Sequence, residues 1–226
     1  MYRSVIIATA CMVSVAGLAN ADEKLTQKSE KAAPPKELNN SIQSLLDDSS
    51  IDVLDAKGEK LAMIWLRKVI PSKAAAEQVK TGLTYREIPE TTLIGAIQLP
   101  QAWLDFRKQK IPAGVYTLRL AFQPQNGDHM GTAPYNEFLL LSPAAKDTKP
   151  DGMEPKELHE LSSNSTGSSH PAVMLLFPNT KPAEEPKLES KPNEIWVLYF
   201  KRTVDAAGAK ADLGIGITVA GHTMQE

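Results

Sequence analysis

The densest string of chemistry-bearing residues in the chain is Asn126-Gly127-Asp128-His129-Met130-Gly131, which sets an acid, an imidazole and a thioether around an Asn-Gly turn. Imidazole combined with methionine sulfur suits copper or another soft metal, and His170 or His222 would complete the site. The ligand set of this reading is His129, Met130, His170 and His222, with copper or zinc as the ion. The competing reading is a polar loop with no cofactor, because no pair of these side chains has a recognised ligand spacing.

Other constellations are weaker. His159-Glu160 begins like a zinc-protease helix, but position i+4 is Ser163, whose hydroxyl cannot replace an imidazole ligand. Ser168-Ser169-His170 puts hydroxyls beside an imidazole only along the chain, whereas a hydrolytic triad is assembled in space. There is no Gly-x-Ser-x-Gly elbow and no phosphate-binding glycine loop. Glu87, Glu90, Asp105, Asp128 and Glu137 supply carboxylates enough for a glycosidase pair, although most acids are solvated or cap local structure. Trp103, Tyr85 and Tyr135 lie near strand ends and loops, where aromatic rings can stack on sugars. The leading expectation is therefore not an enzyme, with no catalytic residue assigned.

These residues need elements to hold them, and the composition sets the terms. Over 226 residues, 25 basic and 27 acidic side chains give a formal net charge of -2, with 42% hydrophobic residues. Such a chain buries a core, and it lacks the basic excess that binds polyphosphate, so nucleic acid is excluded as an expected partner. Residues 1–21 read as a signal peptide: Arg3, an apolar run from Val5 to Leu18, then Ala19-Asn20-Ala21 before Asp22. The run is too short for a bilayer-spanning helix, and no later segment is longer, so no transmembrane segment is expected after cleavage. Cleavage also removes Cys11, the single cysteine, and leaves a cysteine-free domain exported to the periplasm or the extracellular space.

Residues 22–49 read as a flexible polar tether, because Asp22 to Asn40 holds only Leu25 and Leu38 as large apolar residues, followed by one helical turn over Ser41 to Leu46. From residue 50 to 226 the chain alternates short apolar runs with turn residues, the pattern of an all-β domain. Nine strands are expected: Ile51–Leu54, Leu61–Ile70, Thr84–Ile88, Thr92–Leu99, Val115–Gln123, Phe138–Ser142, Val173–Phe177, Ile195–Arg202 and Leu213–Ala220. Ser72–Lys80 and Glu154–Ser162 carry helical spacing. In the fifth strand Tyr116, Leu118, Leu120 and Phe122 alternate with Thr117, Arg119 and Gln123, which predicts one buried and one wet face. The economical arrangement is an immunoglobulin-like β-sandwich with long irregular loops and one or two short helices. Residues 143–193 hold eight of the 16 prolines and read as a long irregular excursion.

The run Pro112-Ala113-Gly114-Val115-Tyr116-Thr117-Leu118 after Thr91–Leu99 resembles a strand-turn-strand unit of secreted bacterial β-sandwich proteins of unknown function. Trp65-Leu66-Arg67-Lys68, Gly127–Gly131 and His170-Pro171-Ala172-Val173 extend the resemblance over most of residues 50–222. It implies fold and export and brings no site residues with it. The expected function is an exported, non-enzymatic binding or structural module with an extracytoplasmic ligand or protein as partner. A periplasmic copper-type metal binder and a carbohydrate-active or carbohydrate-binding protein are the alternatives.

Overall fold

The computed structural model of the chain describes residues 24–123 and 133–222. The signal segment and the string carrying His129 and Met130 lie outside the described residues. Within them the chain is mostly β, as expected from the alternation of apolar and polar positions. The elements are β1 (Thr26–Lys31), α1 (Asn40–Leu45), β2 (Ser49–Leu54), β3 (Lys60–Leu66), β4 (Val69–Ser72), α2 (Ala76–Thr81), β5 (Leu93–Leu99), β6 (Trp103–Leu104), β7 (Lys110–Ile111), β8 (Gly114–Phe122), β9 (Glu137–Pro143), α3 (Pro155–Thr166), β10 (Ala172–Pro178), β11 (Lys187–Lys191), β12 (Ile195–Ala206) and β13 (Ala209–Ala220). Among the described residues no helix is long and apolar enough to cross a membrane.

One hydrogen-bonded path joins the strands in the order β1-β2-β3-β5-β8-β9-β10-β13-β12-β11, and β6 pairs separately with β7. The path curls because two strands change partners midway. Ala172–Leu175 of β10 pairs with β9, whereas Leu176–Pro178 pairs with β13. The chain crosses again after β3: Leu66 still pairs with Gly95 of β5, and Val69 of β4 already runs parallel to Thr203 of β12. Strands that switch partners at bends make the corners of a closed sheet. Both halves therefore face one core, in which Ile64, Ile97, Leu118, Leu120, Leu139 and Leu141 meet Leu198, Phe200, Leu213, Ile215 and Ile217. The core is filled; the cavity between Tyr85, Ile88, Leu120, Leu176 and Ile215 measures about 10 Å³.

Several expectations are corrected. Residues 22–49 are not a flexible tether over their described part. β1 is a polar edge strand paired with all of β2, from Thr26 opposite Leu54 to Lys31 opposite Ser49. An edge strand needs ladder hydrogen bonds rather than an apolar face, and its charges discourage pairing with foreign strands. After β1, Leu38, Ile42 and Leu46 bury against Trp65, Leu93 and Ala96 on the outer face of the sheet. The Trp65 indole N–H donates to Ala32 O at 2.8 Å, which fastens this arm to β3. Thr84–Ile88 is not a strand but a 3-10 turn over Tyr85–Glu87, whose cap is Thr84 with Glu87 accepting from Thr84 N at 2.7 Å.

The wet face expected on β8 is also dry, since Thr117 and Arg119 are completely buried. Residues 143–193 supply the cover, and α3, β10 and β11 lie inside them between irregular stretches. α3 packs Leu158 on Ala121, Leu140 and Val173, and the hydroxyls of Ser162 and Ser165 donate to Leu141 O at 2.7 and 2.8 Å. The alternating glycines of β13 do mark close approach: a Cβ on Gly216 would lie 2.6 Å from Cε1 of Tyr199.

Candidate functional site

Two of the candidate metal ligands, His170 and His222, lie within the described residues. His170 is exposed in the segment leading into β10, and His222, half-buried, follows β13; the antiparallel run of these two strands sends both residues toward the same end. Among the described residues no group of three or more His, Cys, Asp or Glu side chains is arranged to hold a metal ion. His129 and Met130, which that site requires, lie outside the described residues.

The described carboxylates are used locally. Glu137 pairs with Arg86 at 2.9 Å, Glu90 accepts from Phe122 N at 3.3 Å, and Glu87 caps its 3-10 turn. Asp105 accepts four N–H donors, from Arg107 N, Gln109 N, Gln109 Nε2 and Val173 N, at 2.7–3.0 Å. Burial nevertheless holds its carboxyl above the usual range, with these hydrogen bonds pulling it back. The aromatic candidates are structural as well. Tyr85 O–H donates to Phe177 O at 2.7 Å and accepts from Gly216 N at 3.0 Å, and burial pushes its phenol upward. Trp103 donates to Val219 O at 3.3 Å. Tyr135 meets Phe177 edge to face, with ring centroids 4.9 Å apart.

Two arginines remain that the sequence reading did not single out as site residues. Arg119 on β8 is sealed beneath residues 147–153. Its Nε and Nη2 hold Asp147 at 2.7 and 2.9 Å, Nη1 donates to Thr91 O and Asp151 O at 2.9 Å each, and Nη2 also donates to Lys149 O. All five N–H groups are thereby satisfied. Thr117 Oγ1 adds a 2.5 Å hydrogen bond to Asp147. Thr91 is held at φ 67°, a costly conformation for a β-branched residue, by paired hydrogen bonds between its hydroxyl and Met153 N and O. This cluster closes the structure and leaves nothing to offer a ligand.

Arg202 on β12 has the opposite character. β11 covers the edge of β12 up to Tyr199 and β4 covers it from Thr203, so residues 200–202 face a gap in the strand pairing. That gap meets the β1–β2 edge, where Gln27 Nε2 reaches across to Pro186 O at 2.8 Å. Between them lies a cleft of about 150 Å³. Ile51, Leu66 and Phe200 form its apolar lining, and Ser29, Asp47, Ser49, Glu184, Lys201 and Arg202 form its polar one.

Arg202 is anchored before any ligand arrives. Nε donates to Arg67 O at 3.0 Å, Nη2 donates to Lys68 O at 3.3 Å, and Nη2 lies 2.8 Å from Asp47 Oδ2. The first two contacts tie the β3–β4 corner to β12 and stiffen the guanidinium. Lys201 Nζ pairs with Glu184 at 2.7 Å and Asp212 at 3.3 Å, and Glu184 is the main cause of its upward-shifted pKa. Four polar groups of the lining have no hydrogen-bond partner among the described residues: Arg202 Nη1, Asp47 Oδ1, Ser29 Oγ and Ser49 Oγ. These groups come from a loop and three strands distant in sequence, so local spacing carried no sign of them. Ser49 and Arg202 meet only because β3 and β4 bridge the two halves of the sheet. No protein-family profile, curated protein or solved structure matches the chain.

Proposed function

We propose that this chain is an exported, non-enzymatic β-module that binds a small ligand in the cleft between the β1–β2 edge and β12. The facing halves of the curled sheet serve as its immunoglobulin-like scaffold, with the partner changes at β10 and at the β3–β4 corner as departures from two separate sheets. The observation that carries this reading is the presence, in one small cleft, of an anchored arginine and an aspartate that each keep a polar atom with no hydrogen-bond partner among the described residues. A guanidinium anchored through some of its N–H groups and open at the rest, as Arg202 is, is suited to recognition. The resemblance to secreted β-sandwich proteins and the signal-like residues 1–21 support the location.

Two measurements test the reading. Mass analysis of the expressed protein should find a chain beginning at Asp22 outside the cytoplasm; an uncut product retained inside the cell overturns the export component. A thermal-shift screen of small polar metabolites should find compounds that stabilise the full chain but not a Ser49→Trp variant, in which the new ring fills the cleft. A screen in which no compound distinguishes the two proteins overturns the binding component.

A further inference from the structure

We infer that the cleft ligand is a small zwitterion, a free α-amino acid; this rests on the proposed binding function and names its ligand class. Arg202 and Lys201 face Asp47 and Glu184, so the formal charges of these four lining residues cancel. A lone anion or a lone cation therefore gains no net attraction there, whereas a ligand carrying both charges can satisfy both walls. Arg202 Nη1 makes no hydrogen bond among the described residues and can donate two N–H groups to a carboxylate, and Asp47 Oδ1, likewise without one, can accept from an ammonium. The spacing selects among zwitterions. The guanidinium and carboxylate already touch at 2.8 Å, so the complementary charges of the ligand must be close neighbours. A carboxylate and an ammonium on one carbon meet that condition, and an amino acid with its amine at the far end of the chain does not.

Size restricts the choice further. The cleft of about 150 Å³ is open to solvent and is below the range of drug-sized pockets. Ile51, Leu66 and Phe200 are buried and close the floor of the cleft, while the exposed Ser29 and Ser49 can each donate to the carboxylate or accept from the ammonium.

The test is titration of the full chain with leucine, N-acetylleucine, leucinamide and 6-aminohexanoic acid, followed calorimetrically and by thermal shift. Leucine should bind saturably, and each of the other three, lacking one charge or the close spacing, should bind at least about tenfold more weakly. Arg202→Gln should abolish leucine binding with the far-ultraviolet circular dichroism unchanged. If that variant fails to fold, Ser49→Trp serves as the blocked protein. Equal affinity for leucine and N-acetylleucine overturns the inference, as does leucine binding that survives in Ser49→Trp. If leucine does not bind but neutral metabolites stabilise the wild type and not Ser49→Trp, the zwitterion assignment falls and the binding module stands. If no compound distinguishes the two proteins, both fall.

Discussion

Arg119 and Arg202 are both strand arginines whose guanidinium groups pair with an aspartate and with backbone carbonyls, and they differ in what is left over. Arg119 spends five N–H groups on Asp147, Thr91 O, Lys149 O and Asp151 O under a closed cover. Arg202 holds two carbonyls and Asp47, and its Nη1 stays uncommitted at a cleft. A buried charge with every hydrogen bond made fixes the position of the segments around it, here residues 147–151 over β8. A charge fixed by some of its bonds and open at the rest is preorganised for an external partner, because its own ordering is complete before binding. The degree of satisfaction, rather than the presence of charge, separates scaffold from site.

The largest effect should come from breaking the closed cluster. Asp147→Ala leaves a guanidinium uncompensated in the interior and should destabilise the protein by about 3–5 kcal/mol in urea unfolding. Arg202→Gln, at a partly exposed pair, should cost about 1 kcal/mol or less by the same measurement. Similar losses at the two sites would remove the distinction drawn between them. Combining Asp147→Leu with Arg119→Met should recover only part of the loss, because Thr91 O, Lys149 O and Asp151 O would still lose their donor.

The arm ahead of β2 extends the comparison to a region that sequence composition misreads. Ile42 is fully buried with Leu38, Leu46 and Trp65, and Ile42→Ala should cost about 2–5 kcal/mol, again read from urea unfolding. A loss below about 0.5 kcal/mol would restore the flexible tether. Leu38, Ile42 and Leu46 recur every fourth residue, which is a helical stripe, but a window ending at Asn40 cuts through it and counts only isolated leucines. β1 offered no stripe at all, since Thr26-Gln27-Lys28-Ser29-Glu30-Lys31 has no apolar position and its pairing is visible only once β2 exists. The strands with two-residue alternation, above all β8 and β13, were legible because their inner faces need nothing beyond the pattern. The outer face of β8 was not, because a polar residue there looks the same whether it meets water or Asp147. The cleft was least legible, as its groups converge through the closure of the sheet.

A middle-sized effect should come from Asp105, where geometry and charge compete. Asp105→Asn keeps one oxygen for Arg107 N and Gln109 N but places an amide against Val173 N and Gln109 Nε2, donor against donor. The expected cost is about 1–3 kcal/mol, measured by chemical unfolding at neutral pH. Because burial raises the carboxyl of Asp105, its contribution is greatest below the ordinary aspartate range and falls as pH rises toward the elevated folded value. Asp105→Asn should flatten that part of the pH profile; a profile identical to wild type would mean that burial does not set the protonation of Asp105.

The smallest effect is expected at the exposed ladder on the far side of β2, where Glu30 lies 2.6 Å from Lys28 and 2.9 Å from Lys60, and Lys60 in turn lies 2.6 Å from buried Asp52. Lys28, then Lys60, lower the Glu30 carboxyl from 4.5 to about 2, and Asp52 followed by Glu30 raises the Lys60 ammonium. A depressed folded pKa makes the contribution of Glu30 complete above 4.5 and lost as pH falls from there through about 2. Glu30→Gln should therefore leave the neutral stability nearly unchanged, because solvent screens these charges, and should make the loss of stability between those two values shallower than in wild type. Urea midpoints recorded across that acid range provide the measurement. If wild type and Glu30→Gln lose stability in parallel there, the ladder orders side chains on the edge of β1 without coupling their protonation to folding.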